Sequence, residues 1–484
     1  MAERHLRFAI IGAGMAGILS AIKLTESGLT DFTVYEKGDR VGGTWRENSY
    51  PGLSCDVPSQ LYCFSFAPNP DWTHPYSPGL EIQQYFERVA ESYGVADHAR
   101  FNDEVVRCEW LDSRWHLTTH DGHTDVVDVV ISATGVLHHP KWPDIAGLDS
   151  FEGRVFHSAR WDHDAVLDDA RVGIVGSGST GVQIIAAIHE RVAHLASFQR
   201  TPQWVMPMSN EAFVPQQLEA HRDLDYLRAT HSKLGELFGR FTNAVIDAAS
   251  PESHMIGEMC RSNLEANVTD PALRERLRPD YQAACKRLII SENYYQAMQH
   301  PNVELVTDEI ANVESNGVRT ADGVLHELDV LVLATGFHAD WFMRPMQIVG
   351  THGVTLDEAW AQRPLAYLSM TLPDFPNFFM LNGPNGPVGN FSLISVAELQ
   401  FAYIEQLIAR LRAGDALEIA PDRATTEQFE ATRVEAAQRT VWMTGCTSWY
   451  LDDRGVPATW PWPWDRFLDV MAAPQWSAYN LTEL

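Results

Sequence analysis

Phe8-Ala-Ile-Ile-Gly12-Ala-Gly14-Met-Ala-Gly17 joins a short apolar run to a turn with G-x-G-x-x-G spacing. Arg7 to Ile11 predicts a strand, and Ile18 to Leu24 continues with helical spacing of apolar positions. A second strand, Phe32 to Tyr35, ends in Glu36. Alone, a glycine signature is weak; strand, turn, helix, strand and acid together specify a dinucleotide site. Glycine permits the tight turn and lets the backbone approach a pyrophosphate, which then lies on the positive end of the helix. The reading places Gly12, Gly14, Ala16 and Gly17 at the phosphates. Glu36 accepts both hydroxyls of an adenosine ribose and repels a 2′-phosphate.

The pattern recurs downstream. Arg171 to Val175 predicts a strand, Gly176-Ser-Gly178-Ser179-Thr180-Gly181 is the turn, and a helix runs through about His189. Leu195 to Gln199 is the next strand, ending in Arg200-Thr201. The offset from the first glycine that reaches Glu36 in the first copy reaches Arg200 in the second. An acid selects a free diol, whereas a guanidinium grips a 2′-phosphate through two hydrogen bonds. The first site is therefore expected to hold FAD or NAD, and the second NADPH. The fold class is α/β: two Rossmann-like dinucleotide-binding domains with a helical insertion in the second.

Between and beyond the two copies the chain is legible in outline. Gly42-Gly43-Thr44-Trp45 and Tyr50-Pro51-Gly52-Leu-Ser-Cys55-Asp56 follow the ribose-binding acid, where they can wrap an extended cofactor. Glu81 to Tyr93 reads as an amphipathic helix, Phe101 to Val127 as a small antiparallel sheet, and Val129 to Gly135 as a buried strand ending in Ala-Thr-Gly. Gln216 to about Arg278 is helical, and Cys285-Lys286-Arg287 puts two cations before an apolar run. Leu328 to Leu333 ends in a second Ala-Thr-Gly, an echo suggesting that the chain crosses back to the first domain there. Phe378 to Leu381 predicts a strand, Leu393 to Leu411 a helix, and Trp460, Trp462 and Trp464 a packed C-terminus. The expected division is 1–140 for the first part of the FAD-binding domain and 141–170 for a linker. The NADPH-binding domain follows over 171–330, with an insertion at about 205–300, and 331–484 completes the first domain.

Sixty-four acidic against 36 basic residues give a formal net charge of −28, which excludes a sequence-independent nucleic-acid binder. The six cysteines contain no C-x-x-C pair, so no zinc site or dithiol centre is expected, and reduced thiols in a cytoplasmic protein are the default. No stretch has the length and apolarity of a membrane span. Oligomeric state is not legible.

With Gly42 to Trp45 and the two Ala-Thr-Gly strand ends, these signatures resemble class B flavoprotein monooxygenases. Phe151, Gly153, His157, Trp161 and Asp162 match every fixed position of F-x-G-x-x-x-H-x-x-x-W-[P/D], the signature of type I Baeyer–Villiger monooxygenases. The resemblance implies that NADPH reduces FAD, that the reduced flavin adds dioxygen, and that the resulting flavin peroxide attacks a ketone to give an ester or lactone. It assigns Arg287 to stabilising the developing anion, Lys286 to the NADPH phosphate, and Asp56 to orienting Arg287. His157 is expected to couple domain rotation to NADP binding. Gly43, Thr44, Trp45, Asp56, Tyr62, Val105 and Arg287 join the cofactor contacts the resemblance implies. Oxidation of amines or sulfides is the nearest alternative, and it has no use for Arg287. A silent nucleotide-binding redox sensor is a second. A disulfide reductase on paired domains fails for want of a C-x-x-C.

Overall fold

The structure, a computed structural model, describes residues 3–483. Its frame is two five-stranded parallel sheets. The first runs in the order Phe378–Met380, Val129–Ser132, Phe8–Ile11, Phe32–Glu36, Ala99–Phe101. The second runs Arg154–His157, Val330–Leu333, Arg171–Val175, His194–Phe198, Val303–Val306. Phe8–Ile11, Val129–Ser132 and Val330–Leu333 are buried at every position. That is why they read as unbroken apolar runs: helices cover both faces of a parallel sheet. Each fully buried aliphatic side chain there contributes on the order of 2 kcal/mol.

The two sheets are built alike, and this corrects one domain boundary. Val330–Leu333 lies in the second sheet between Arg171–Val175 and Arg154–His157, just as Val129–Ser132 lies in the first between Phe8–Ile11 and Phe378–Met380. The two Ala-Thr-Gly ends are equivalent positions in separate sheets. The chain therefore crosses back after Gly336, later than a boundary at 331. The fingerprint stretch is likewise more than a connector, because Arg154–His157 is the edge strand of the second sheet.

A third sheet, with Gln347–Val349 beside the meander Val105–Leu111, Arg114–Thr119 and Thr124–Val127, covers one side of the first unit. The insertion consists of helices Pro215–His221, Leu224–Ile246, Pro251–Asn267 and Pro271–Arg276. Asp223, Ser250 and Asp270 cap the last three through their side chains, and proline opens the last two. Trp460 and Trp462 are buried in the first core, as their spacing suggested. Arg433, fully buried, donates to Glu430 at 2.7 and 3.0 Å and to the carbonyls of Pro457 and Thr459, which ties the C-terminal segment down.

The cysteine expectation is overturned in part. Cys285 and Cys446 form a disulfide across 161 residues, with Cα atoms 6.1 Å apart. Spacing rules detect only local pairs, and the fold makes this one. Cys55, Cys63, Cys108 and Cys260 are buried free thiols. Among the described residues no helix is long and apolar enough to cross a membrane, and no His, Cys, Asp and Glu group could hold a metal.

Candidate functional site

The first glycine turn is shaped by contact. Gly12 adopts φ +103°, and a Cβ there would stand 2.6 Å from the Ala133 carbonyl oxygen at the end of the neighbouring strand. A Cβ on Gly17 would meet the Gly12 oxygen at 1.8 Å. Gly43, at φ +55°, faces Gly14 so closely that its own Cβ would lie 2.9 Å from the Gly14 Cα. These two turns form one wall of a cleft of about 300 Å³. Gly12, Gly14, Ala16, Glu36, Gly43, Thr44, Trp45, Tyr62 and Val105 line it, whereas Gly17 packs behind and Asp56 lies elsewhere.

Glu36 is 4% exposed and accepts from the backbone N–H of Ala13 at 2.8 Å and of Gly38 at 2.7 Å. Arg46 Nη1 lies 3.0 Å from the same carboxylate. Sequence reasoning missed Arg46, although it directly follows Gly-Gly-Thr-Trp. Burial works against its charge, but Glu36 and Glu47 outweigh that and raise its pKa. The cleft also carries Asn382, whose Oδ1 is buried with no hydrogen-bond partner. Backbone-lined turns, a positioned carboxylate and an amide oxygen without a partner fit a bulky flavin dinucleotide.

In the second unit Gly176 and Gly181 repeat the packing of the first turn. A Cβ on Gly176 would lie 2.4 Å from the Ala334 oxygen, and one on Gly181 would lie 2.0 Å from the Gly176 oxygen. Gly178 has open space around it, and Ser179 and Thr180 open helix Ser179–Ile188. The Thr201 carbonyl accepts from Ser177 Oγ at 2.9 Å, holding the strand end against the turn. Arg200 is exposed there and lies close enough to Lys286 for its charge, second to burial, to lower the Lys286 pKa. Among the described residues neither cation has a carboxylate in salt-bridge contact. Two neighbouring cations, offset only in part by the more weakly acting Asp280, fit a 2′-phosphate.

Asp56 and Arg287 are far apart in sequence and meet because a loop of the first unit rides on the second. A Cβ at Gly52 would stand 2.5 Å from the Gln183 oxygen. Tyr50 donates its phenol proton to Gln183 Oε1 at 2.9 Å, and Gln183 Nε2 donates to the Ser54 carbonyl at 3.0 Å. Asp56, two residues on, accepts from Arg287 Nε at 2.9 Å and Nη2 at 2.6 Å, both on Oδ2. The side chains are 27% and 32% exposed, so the pair opens onto solvent-accessible space. Burial opposes the Arg287 charge, but Asp56 and then Tyr450 raise its pKa well above the ordinary value. Arg287 is a permanent cation.

His157 is fully buried at the double crossing between the units, its ring 6.1 Å from that of Trp142 and 6.0 Å from that of Phe337. Lys141 donates its N–H to the Gly336 carbonyl at 2.9 Å, and Thr335 Oγ1 donates to the Lys141 carbonyl at 2.6 Å, so the two crossings are cross-linked. His157 Nδ1 accepts from the Ala159 N–H at 3.1 Å. Burial drives its pKa down to about 4, against a smaller opposing effect of Gly336. The ring is neutral near pH 7 and makes a poor proton donor there. Because the folded pKa lies below the unfolded one, stability is present above pH 6.5 and lost as pH falls toward 4. This histidine should account for about 3 kcal/mol of that loss. Urea unfolding of wild type and His157→Gln across this range should show a shallower acid dependence in the variant; identical slopes would refute the assignment.

Comparison with known proteins gives a consistent result. A model of the flavin-binding monooxygenase-like family matches residues 5–247. An uncharacterized monooxygenase of Mycobacterium bovis is 47% identical over 95% of this chain and 93% of its own length. A Baeyer–Villiger monooxygenase of Streptomyces coelicolor is 42% identical over 95% of this chain and 89% of its own. Among solved structures, cyclohexanone monooxygenase from Rhodococcus sp. Phi1 bound to NADP+ superposes with a TM-score of 0.88. It is 30% identical, with 99% of each chain covered.

Proposed function

The chain belongs to the flavin-binding monooxygenase-like family, and from that membership we infer how its own residues divide the work of a Baeyer–Villiger oxidation. It is an FAD- and NADPH-dependent monooxygenase that converts a ketone to an ester or lactone. The chemistry that FAD would supply when bound and reduced by NADPH is activation of dioxygen, one atom of which is inserted beside the carbonyl.

The protein supplies position and charge. Gly12, Gly14 and the Gly43 turn let the backbone approach the FAD phosphates, while Glu36, held by Ala13, Gly38 and Arg46, receives the ribose. Lys286 and Arg200 clamp the NADPH 2′-phosphate. Arg287 presents a fixed positive charge where negative charge develops on the reacting oxygen, and Asp56 sets the plane of its guanidinium. His157, neutral and packed on the crossing strands, transmits the relative placement of the two units.

The observation that carries this division is the Asp56–Arg287 pair, which a first-unit loop and the segment after the insertion bring together at 2.6 Å. The test is a panel of cyclic and aryl ketones, amines and thioethers, scored by NADPH consumption under air and by product mass. Esters or lactones one oxygen heavier than the ketone are expected. Oxidation of amines or thioethers alone, with ketones untouched, would overturn the role given to Arg287.

A further inference from the structure

Asp56 holds only one side of the Arg287 guanidinium. It takes Nε and Nη2, and leaves the Nη1 arm to be fixed by something else. That arm points at Tyr450, whose phenol oxygen accepts from Nη1 at 3.5 Å. Tyr450 is 4% exposed, and its ring packs on Trp449 and Trp442 with centroids 4.2 and 5.6 Å away. The place of its hydroxyl is also shaped from the other side. Gly389, at φ +93°, lies so close that a Cβ there would stand 2.1 Å from the phenol oxygen. Val388, the residue before it, lines the first-unit cleft. The phenol thus bridges the cleft wall and the cation.

The segment bearing Tyr450 is tied to the segment bearing Arg287. The Cys285–Cys446 disulfide ends two residues before Arg287 and four before Tyr450. Trp442, Cys446 and Tyr450 share one small core with Val245, Ile246 and Cys285. Beyond Tyr450, Arg433 anchors the Pro457 and Thr459 carbonyls. Burial raises the Tyr450 pKa against the lowering effect of Arg287, so the phenol stays protonated; while it accepts from Nη1, its own proton remains free to donate.

We propose that Tyr450 is a positioning residue for Arg287: its phenol oxygen fixes the guanidinium arm that Asp56 leaves free, and the Cys285–Cys446 bond keeps the two segments in register. This rests on the role given to Arg287 above. Through it, a C-terminal segment that carries no recognisable motif tunes the oxygen-insertion step.

The test compares Tyr450→Phe and Arg287→Ala with wild type, each as the flavin-loaded protein. Tyr450→Phe should keep FAD, as read from flavin absorbance, and should bind NADP+ with an unchanged dissociation constant by spectral titration. Its kcat for ester formation should fall about three- to tenfold, since the Nη1 contact, at 3.5 Å, lies at the long end for a hydrogen bond. The rising limb of kcat against pH should move upward, because a less well aimed cation favours the anion less. Thioether oxidation, which needs no such anion, should be spared, so the ester-to-sulfoxide ratio falls. Gly389→Ala, which displaces the phenol, should show the same changes. A merely structural tyrosine would lower both activities together and leave the pH limb in place, and that result overturns the proposal. Wild-type behaviour of Tyr450→Phe beside an ester-deficient Arg287→Ala also overturns it while leaving the Arg287 role standing. Wild-type behaviour of both removes that role and the proposal with it.

Discussion

Arg287→Ala is expected to lower the rate of ester formation by at least about 100-fold, the scale for loss of one preorganised donor at a developing oxyanion. FAD should remain bound, since Arg287 is absent from the cleft lined by the first glycine turn. The variant should still consume NADPH, releasing hydrogen peroxide in place of ester, so the ratio of ester to NADPH is the number to measure. Removing the guanidinium also leaves the Asp56 carboxylate unpaired in a half-buried place, which costs stability. For that reason Arg287→Lys is the informative companion: it keeps the charge and loses the fork that meets Asp56 through Nε and Nη2. An intermediate ester yield from the lysine variant would show that aim as well as charge matters. Ester yield at the wild-type rate in the alanine variant would contradict the role.

The second large effect concerns coenzyme choice. Arg200 and Lys286 converge from different segments, and the closeness of Arg200 helps to lower the Lys286 pKa after burial has done so. Two like charges held together, with Asp280 compensating only in part, are unfavourable until a further anion arrives, and a 2′-phosphate relieves both. Hydrogen bonds to charged groups contribute roughly 1.5 to 3 kcal/mol each, so each substitution to alanine should raise the KM for NADPH about 10- to 100-fold. NADH, which lacks the phosphate, should be used about as well as before. The preference for NADPH should therefore shrink with either substitution and disappear in the double variant. An unchanged NADPH-to-NADH preference in Arg200→Ala, Lys286→Ala would place the phosphate elsewhere.

What the sequence revealed depended on how local the cause was. Gly12, Gly17, Gly176 and Gly181 are legible because each is demanded by backbone within a few residues or by the adjacent strand, and few other residues tolerate those contacts. The buried strands and the alternating Arg114–Thr119 were legible from period alone. The two Ala-Thr-Gly ends were visible too, but their meaning was ambiguous, because a duplicated sheet repeats its strand ends and period says nothing about which sheet a strand joins. Contacts between distant segments left no local trace. Nothing near Tyr50 announces that it will dock on Gln183, and nothing near Cys285 names Cys446. Arg46 lay beside a recognised motif yet carried no spacing signal, since its partner Glu36 was already accounted for by the ribose. Asp56 and Arg287 could be paired only through resemblance, whereas the structure supplies the physical cause in the loop that Gly52 allows to lie flat on helix Ser179–Ile188.

A crystal structure with FAD and NADP+ bound tests most directly whether the two dinucleotide sites converge on one cation. The isoalloxazine ring should lie in the cleft beside Asn382 and within reach of the Arg287 guanidinium, with the 2′-phosphate between Arg200 and Lys286. A flavin ring remote from Arg287, or a 2′-phosphate touching neither Arg200 nor Lys286, would contradict it.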